Sequence, residues 1–257
     1  MKSNKLEAVW GNEHDLYLDY QNWTTEWDQV FLDTEPYATR TETKSLHLVL
    51  PVPERNETLV IHDDQEYYHS NNQTLTTLLR EEEAVQFYEY LITCRTLNSF
   101  HAFQKRLHPM INATYVLFPL DAPQHSAWIN PMSIENIWEK PERTFIKMAT
   151  GPGLITTTRK ETIIGYAANA LLSLACTSRD FPIHQGKTGN RPVDFLHFPN
   201  TLFAKRIQKH SSLQTFPIRL GEFRQHYYLQ GAILHYLEEA QSKGIQPRGL
   251  PPLSDDH

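Results

Sequence analysis

Residues 114–120, which read TYVLFPL, are the segment that most strongly indicates the fold. Their tyrosine, valine and phenylalanine are residue types that β-strands favour. Shorter runs of the same character follow at residues 127–129, 134–138, 144–148 and 154–158. The last two runs flank Gly151-Pro152-Gly153, a turn sequence that predicts a hairpin. We therefore expect strands joined by turns at the centre of the chain.

Upstream of this segment, the sequence predicts shorter strands separated by acidic and Asn/Thr-rich connections. They are Leu16–Tyr20, Gln29–Leu32, Leu46–Val52 and Thr58–His62. The third is the clearest, because leucines at positions 46, 48 and 50 alternate in the period of a strand. It ends at Pro51-Val52-Pro53, which cannot continue a central strand.

Helices are predicted around these strands, at residues 74–91, 100–107, 161–174, 201–210 and 222–243. Residues 85–91 are also compatible with a strand. The last helix is the clearest: Leu229, Ile233, Leu234 and Leu237 form an apolar stripe, and Gly244 follows it as a stop. Residues 181–199 are rich in proline and glycine and are expected to form a loop. The predicted class is α+β: a mixed, β-rich core with hairpins, several flanking helices and a C-terminal helix.

The charge of the chain is divided unevenly along its length. The net charge of the 257 residues is −6, but residues 1–93 hold 6 Lys/Arg against 18 Asp/Glu. Residues 94–257 hold 18 Lys/Arg against 12 Asp/Glu, a net charge of +6. Such asymmetry points to a basic part that binds a polyanion. The alternative is that two oppositely charged lobes are simply solvated.

Several functional classes are not expected from the composition. The two cysteines, Cys94 and Cys176, form no Cys-x-x-Cys pair, which argues against a disulfide scaffold and a cysteine zinc site. Residues 163–176 are the longest mostly apolar run and fall short of the roughly 20 residues that span a bilayer. The first residues lack the apolar centre of a signal peptide. We expect a cytoplasmic protein that does not bind membranes.

Enzyme motifs are largely missing from the sequence. Gly186-Lys187-Thr188 resembles the end of a phosphate-binding loop, but Phe181 stands where that loop needs a glycine. We find neither a Gly-x-Ser-x-Gly elbow nor a His-Glu-x-x-His pattern. His62, Asp63, Asp64 and His69 match no metal-binding scheme. We therefore predict a protein without enzymatic activity, catalytic residues, metal or cofactor.

Basic residues between positions 94 and 210 are the candidates for contact with DNA. Each cation that neutralises a phosphate releases counterions, so such a set supports binding without reading any sequence. Arginines in loops can also enter the narrow minor groove of A·T-rich DNA. The candidates are Arg95, Lys105, Arg106, Lys147, Arg159, Lys160, Arg179, Lys187, Arg191, Lys205, Arg206 and Lys209.

The order of motifs between residues 88 and 200 resembles the ComK family, the competence transcription factors of Firmicutes. The matching elements are Ile92-Thr-Cys94-Arg95, Lys105-Arg106, Pro109-Met-Ile111, Thr114-Tyr-Val-Leu-Phe-Pro119, Trp128-Ile-Asn130, Ile134-Glu-Asn-Ile137 and Thr144-Phe-Ile146. Ser126 stands near the place of a family cysteine, and the glycines expected around residues 99–105 are missing. The resemblance identifies the chain as a divergent member. We therefore expect three regions: an acidic N-terminal extension or lobe (1–80), a DNA-binding core that resembles the family (81–210), and a C-terminal helix with a disordered tail (211–257).

Downstream, Arg191-Pro-Val-Asp-Phe-Leu-His-Phe-Pro199 is similar to the segment by which that family docks a proteolytic adaptor. The resemblance assigns Phe195, Phe198 and Pro199 to docking a MecA-like adaptor of a Clp-type protease. It also implies an oligomeric activator of competence or related genes that binds A·T-rich double-stranded promoter DNA from the minor-groove side. Either the 222–243 stripe or the acidic lobe would mediate self-association or contact RNA polymerase. The alternative is a protein-interaction module that has lost DNA binding.

Overall fold

The computed structural model describes residues 16–32, 34–36, 45–62, 67–71, 88–181 and 188–244. Its strands are β1 Tyr17–Asp19, β2 Glu35–Pro36, β3 Leu46–Pro51, β4 Glu57–His62, β5 Tyr67–Asn71, β6 Met110–Ile111, β7 Val116–Pro119, β8 Trp128–Ile129, β9 Ile134–Lys140, β10 Arg143–Met148 and β11 Gly153–Thr156. Its α-helices are α1 Thr25–Leu32, α2 Tyr90–Ser99, α3 Lys160–Asp180, α4 Leu202–Ile207 and α5 Glu222–Ser242.

The described strands form two sheets. The first has the order β1-β11-β10-β9, in which β1 runs parallel to β11 and the other pairs are antiparallel. The second has the order β2-β5-β4-β3-β8-β7-β6, with β3 antiparallel to both β4 and β8. Together with the helices, this confirms the predicted α+β class.

Helix α3 packs across the molecule and supplies much of the core. It contacts β6, β7, β9 and α5. Its alanines and leucines favour a helix, and Glu161 in the first turn and Arg179 in the last turn suit the helix dipole. Ile163, Ala167 and Leu171 lie at helical spacing and are fully buried in the main apolar cluster. The helix is therefore held chiefly by tertiary burial.

Most of the predicted strands are confirmed. The structure has strands at Leu16–Tyr20, Leu46–Val52 and Thr58–His62, and at residues 114–120, 127–129 and 134–138, with β4 beginning at Glu57 and β9 continuing to Lys140. The predicted hairpin is confirmed by the antiparallel pairing of β10 with β11, with Thr144 opposite Thr156. The helices predicted at 161–174, 201–210 and 222–243 are also present, as α3, α4 and α5, and α3 continues to Asp180.

The strand predicted at Gln29–Leu32 is wrong, because these residues belong to α1. The reason is a tertiary arrangement of aromatic rings. Trp23, Trp27 and Phe31 are four residues apart, and successive ring centroids are 6.0 Å and 6.2 Å from each other. Side chains at this spacing stack on one side of a helix, whereas a strand would separate them.

The helix predicted at Phe100–Leu107 is also wrong: the helix in this region is α2, which ends at Ser99. Asn98 and Ser99 form the C-terminal end of α2. The Lys105 ammonium donates to the carbonyl oxygens of Asn98 (2.6 Å) and Phe100 (3.0 Å). A cation bonded to the last carbonyls stabilises a helix end.

Some predictions fall partly or wholly outside the described residues. Of the helix predicted at 74–91, residues 74–87 lie outside, and the described part enters α2 at Tyr90. Of the loop predicted at 181–199, residues 182–187 lie outside, and the remainder contains a short 3-10 turn, Pro192–Phe195. The predicted disordered tail lies outside the described residues as well.

The acidic first part of the chain contributes strands to both sheets. Strand β1 pairs with β11, and β3 pairs with β8, so residues 17–51 are joined by backbone hydrogen bonds to residues 128–156. Leu18, Leu48 and Leu50 belong to the same buried cluster as the residues of α3. The predicted division at residue 80 therefore does not coincide with a break in either sheet.

Candidate nucleic-acid interface

Helix α4 presents a basic outer face because its inner face is held against β9. Thr201 caps the helix by accepting from the Ala204 N–H (3.1 Å), and its hydroxyl donates to the Ile134 carbonyl oxygen (3.0 Å). Phe203, Ala204 and Ile207 are buried. Lys205 and Arg206 remain exposed on the opposite side.

The start of α3 lies beside this basic face. Arg206 Nη2 bonds Glu161 Oε1 at 2.7 Å, which joins α4 to the first turn of α3. Arg159 is the N-cap residue of α3, and its side chain makes no capping hydrogen bond. The Lys160 N–H donates to Glu139 Oε1 at 2.8 Å, which fixes the helix start to β9. A helix N-terminus carries partial positive charge, which adds to that of the side chains.

Together these groups form what we call the α3–α4 basic surface. It comprises Arg159, Lys160, Lys205, Arg206 and Lys209. Two carboxylates bond within it: Glu161 accepts from the Arg206 side chain, and Glu139 accepts from the Lys160 backbone N–H. Four of the five cations are exposed, and Lys160 is half-buried. A surplus of exposed positive charge on one patch can attract a phosphate backbone.

Arg179, a predicted DNA contact, is instead buried and bonded to neighbouring protein groups. Its side chain is 8% exposed and bonds Asp180 Oδ1 at 2.7 Å. It also donates to the carbonyl oxygens of Ile218 (3.1 Å) and Arg219 (2.8 Å), and its guanidinium lies 4.0 Å from the Phe216 ring centroid. These contacts hold the segment that leads into α5. We leave Arg179 out of the proposed interface.

Lys105 lies apart from the basic surface, further along α3. Lys105 caps α2, as described above, next to Gln104, whose N–H donates to Asn169 Oδ1. Asn169 is nine residues beyond Lys160 on α3, or about 13 Å along its axis at 1.5 Å per residue. Arg95 lies half-buried on α2, and Arg106 is exposed after it. The predicted cations therefore do not all gather on the α3–α4 basic surface.

Two more of these cations are paired with carboxylates. Lys147 Nζ lies 3.5 Å from Glu135 Oε2, across β9 and β10. Arg191 Nη2 bonds Asp194 Oδ1 at 2.9 Å, and this bond lowers the pKa of the Asp194 carboxyl. Both pairs are at the surface, where such contacts are screened by solvent. Lys187 lies outside the described residues.

The segment that the resemblance assigns to adaptor docking is only partly accessible. Phe195 is 5% exposed and packs edge-on against Phe216, with ring centroids 5.5 Å apart. Phe198 and Pro199 are half-buried and line a concavity of about 430 Å³ together with His197. Phe198 and Pro199 are thus partly accessible, and Phe195 is a core residue.

A second concavity, of about 600 Å³, lies between the ends of β1, β3 and β7. Tyr20 donates its hydroxyl to Asp121 at its edge. Burial, and then this carboxylate, raise the pKa of Tyr20 above its ordinary value of 10. Arg55 lies across the Trp23 ring, 4.4 Å from its centroid. Among the described residues, no three metal-ligating side chains converge here or elsewhere.

Helix α5 differs from its sequence-based prediction in one respect. Leu234 and Leu237 of the predicted apolar stripe are buried, but Leu229 is 54% exposed. Tyr228 and Tyr236, which the sequence reasoning passed over, are exposed beside it. The signal was available in their eight-residue spacing, which places two tyrosines on one helix face.

Comparison of the chain with protein-family models, with curated proteins and with solved structures finds no match. The likeness to the ComK family therefore rests on the sequence motifs between residues 88 and 200. Within the described parts of the chain, no helix combines the length and apolarity that crossing a bilayer requires.

Proposed function

We propose that this protein is a transcription regulator that binds double-stranded DNA through the α3–α4 basic surface. The observation that carries the proposal is the 2.7 Å bond from Arg206 to Glu161. It brings the basic face of α4 to the N-terminal end of α3, so that cations distant in sequence act on one phosphate backbone. Such phosphate contacts supply affinity and need no catalytic group.

The finer parts of the proposal are supported by the resemblance to the ComK family. In this interpretation the protein activates competence or related genes by binding A·T-rich promoter boxes from the minor-groove side. It works as an oligomer, with RNA polymerase as a further partner. Phe198 and Pro199 meet the MecA-like adaptor of a Clp-type protease. Arg159 at the start of α3 is the arginine best placed to enter a minor groove, since its side chain is exposed and makes no cap.

We also propose a cytoplasmic location. Cys94 and Cys176 are unpaired and buried. Burial raises the pKa of the Cys94 thiol to about 12, so the thiol stays protonated and unreactive. Unpaired cysteines are typical of a reducing compartment.

Electrophoretic mobility shifts on A·T-rich duplexes test DNA binding. The variant Lys205→Glu reverses one charge of the α3–α4 basic surface, and Arg106→Glu makes the same change on an exposed residue outside it. We expect Lys205→Glu to weaken binding by roughly tenfold or more, because it replaces a phosphate contact with repulsion. Arg106→Glu should bind nearly as the wild type does. Equal weakening by the two variants would refute the location of the interface.

The second candidate function is a protein-interaction module that has lost DNA binding. The exposed apolar side chains Tyr228, Leu229 and Tyr236 on α5 favour it, since such patches mark protein contacts. DNA binding at low salt distinguishes the two functions. If the wild type shifts neither A·T-rich nor mixed-sequence duplexes at low salt, the interaction module is the better description.

A further inference from the structure

The concavity of about 430 Å³ lies at the end of the second sheet where β3 and β7 begin and β8 ends. Residues 197–199, which precede α4, form the rest of its lining. We call it the Ser133 concavity, after one of the residues that line it. Three parts of the chain that are distant in sequence therefore meet around one space. Its volume lies in the range of pockets that hold small molecules, roughly 300–1,000 Å³.

Ser133 contributes a buried hydroxyl to this concavity. The residue is 4% exposed. Its backbone is fully used, since its N–H donates to the Asn130 carbonyl oxygen (3.0 Å) and its carbonyl oxygen accepts from the Ala149 N–H (2.8 Å). Within the described part of the chain, no group forms a hydrogen bond with its side-chain hydroxyl. Buried polar groups normally have a partner. The hydroxyl is therefore available to a molecule in the concavity.

The polar side chains around Ser133 favour an anionic group. His47 and His197 line the concavity, and the His47 ring is held in place by its Nδ1, which lies 2.9 Å from Thr150 Oγ1. Among the described residues that line it, none is Asp, Glu, Lys or Arg. The concavity of about 600 Å³, by contrast, is bordered by three carboxylates: Glu54, Glu57 and Asp121. Hydroxyl and imidazole donors bond an ionised acceptor more strongly than a neutral one. An anion in the Ser133 concavity finds such donors and no carboxylate that repels it.

The remaining lining is apolar. Met132, Phe198 and Pro199 line the concavity and are half-buried. Pockets for small molecules combine such apolar walls with a few polar groups that fix the orientation of the ligand. The walls would remove an apolar body from water, which favours binding in proportion to the area covered. The lining therefore suits a small molecule with one anionic end and one apolar body.

The Ser133 concavity adjoins the anchor of α4 on two sides. Ser133 directly precedes Ile134, whose carbonyl oxygen accepts from the Thr201 hydroxyl at 3.0 Å. Phe198 and Pro199 lie within three residues of Thr201, the N-cap residue of α4. A ligand that contacts both Ser133 and Phe198 would thus restrain the two chain segments that the Thr201 bond joins.

We propose that the Ser133 concavity binds a small organic acid and that the bound acid stabilises the start of α4. The carboxylate of the acid accepts from the Ser133 hydroxyl, and its apolar body packs on Met132 and Phe198. This site lies outside the α3–α4 basic surface and needs neither DNA nor another protein. The measurements therefore use the full chain alone, so that failure of this site and failure of DNA binding are observed separately.

Isothermal titration calorimetry of the full chain with sodium benzoate tests the site. Benzoate carries a carboxylate on a flat apolar body. We expect saturable binding at a single site per chain, with a Kd of about 1 mM or lower. Benzamide has nearly the same shape without the charge. It should bind roughly tenfold more weakly, because its neutral oxygen accepts weaker hydrogen bonds.

Hydrogen exchange measures the effect on α4. At about ten times its Kd, benzoate should slow amide exchange of residues 202–207 by roughly tenfold, because opening of α4 then requires the ligand to leave.

Ser133→Ala removes the hydroxyl and should weaken benzoate binding by roughly tenfold. Because that hydroxyl has no partner among the described residues, the variant should keep the thermal midpoint of the wild type. The matched control is Ser178→Ala, at a serine on α3 that is 5% exposed and does not line the concavity. It should bind benzoate as the wild type does. The proposal is overturned if benzoate does not bind saturably, if benzamide binds as tightly, if Ser133→Ala binds benzoate as the wild type does, or if saturating benzoate leaves exchange in α4 unchanged.

Discussion

At the scale of single residues, the structure shows that two arginines of this chain have different roles. Arg206 is exposed and bonds a carboxylate that is itself exposed. Arg179 is buried, and its neighbour Asp180 is fully buried and also accepts from the Phe223 N–H at 3.0 Å. The sequence contains no sign of this difference, because an arginine near a helix end is expected to be solvated.

We expect Arg179→Ala to destabilise the protein strongly. The change leaves the Asp180 carboxylate buried without its cation and frees two carbonyl oxygens. Breaking a buried pair by removing one partner costs about 3–5 kcal/mol. Urea denaturation measures the loss of unfolding free energy. As the control, Arg191→Ala breaks the surface pair with Asp194 and should cost at most about 1 kcal/mol. Similar losses for the two variants would contradict a structural role for Arg179.

Tyr20 should make the stability fall at alkaline pH. Its pKa is raised above 10 in the folded protein, by burial and then by the Asp121 carboxylate. Above pH 10 the unfolded chain ionises while folded Tyr20 stays protonated, so its contribution is lost as pH rises through the folded pKa. The unfolding free energy of Tyr20→Phe should decline less steeply with pH than that of the wild type. Tyr236→Phe, at an exposed position, should leave the slope unchanged. Identical slopes for Tyr20→Phe and the wild type would contradict this.

At the scale of helices and strands, some elements are determined by their local sequence pattern and others by tertiary packing. The apolar run around Leu46, Leu48 and Leu50 was sufficient to predict β3, although the strand is buried on both faces, with Leu48 and Leu50 in the main apolar cluster and Leu46 in a second one. Helix α1 could not be predicted in the same way, since its aromatic spacing has meaning only once the Trp23 and Phe31 rings pack against each other. The basic helix α4 was predicted from its lysines and arginine. Its position beside the start of α3 depends on packing against β9, which local sequence does not encode.

Substitution by alanine should have opposite effects on stability at two glycines, one in β11 and one in α3. A Cβ at Gly153, the first residue of β11, would lie 2.7 Å from the Ile146 carbonyl oxygen and would also collide with the Tyr17 ring. Gly153→Ala should therefore destabilise by about 1–3 kcal/mol or more. A Cβ at Gly165 in α3 meets nothing within 4 Å, so Gly165→Ala should stabilise by roughly 0.5–1 kcal/mol. The midpoint of thermal unfolding measures both effects. A fall for Gly165→Ala, or none for Gly153→Ala, would contradict this packing.

At the scale of the whole molecule, the uneven charge along the sequence is redistributed by the fold. The acidic N-terminal strands lie in the same sheets as strands from the basic part, so the two halves do not form separate sheets. Of the twelve cations predicted to contact DNA, five gather on the α3–α4 basic surface, and one outside it, Arg179, is buried. Sequence reasoning could supply the candidates. Selecting among them required knowledge of which elements pack together.

The salt dependence of DNA binding tests the central claim most directly. Fluorescence anisotropy with an A·T-rich duplex, starting at about 50 mM salt, gives the slope of log K against log salt concentration, which counts the phosphates neutralised. We predict tight binding with a negative slope, and a slope reduced in magnitude by about one in Lys205→Ala, with Arg106→Ala unchanged. Absence of binding at this salt, or an unchanged slope in Lys205→Ala, would contradict a DNA interface on the α3–α4 basic surface.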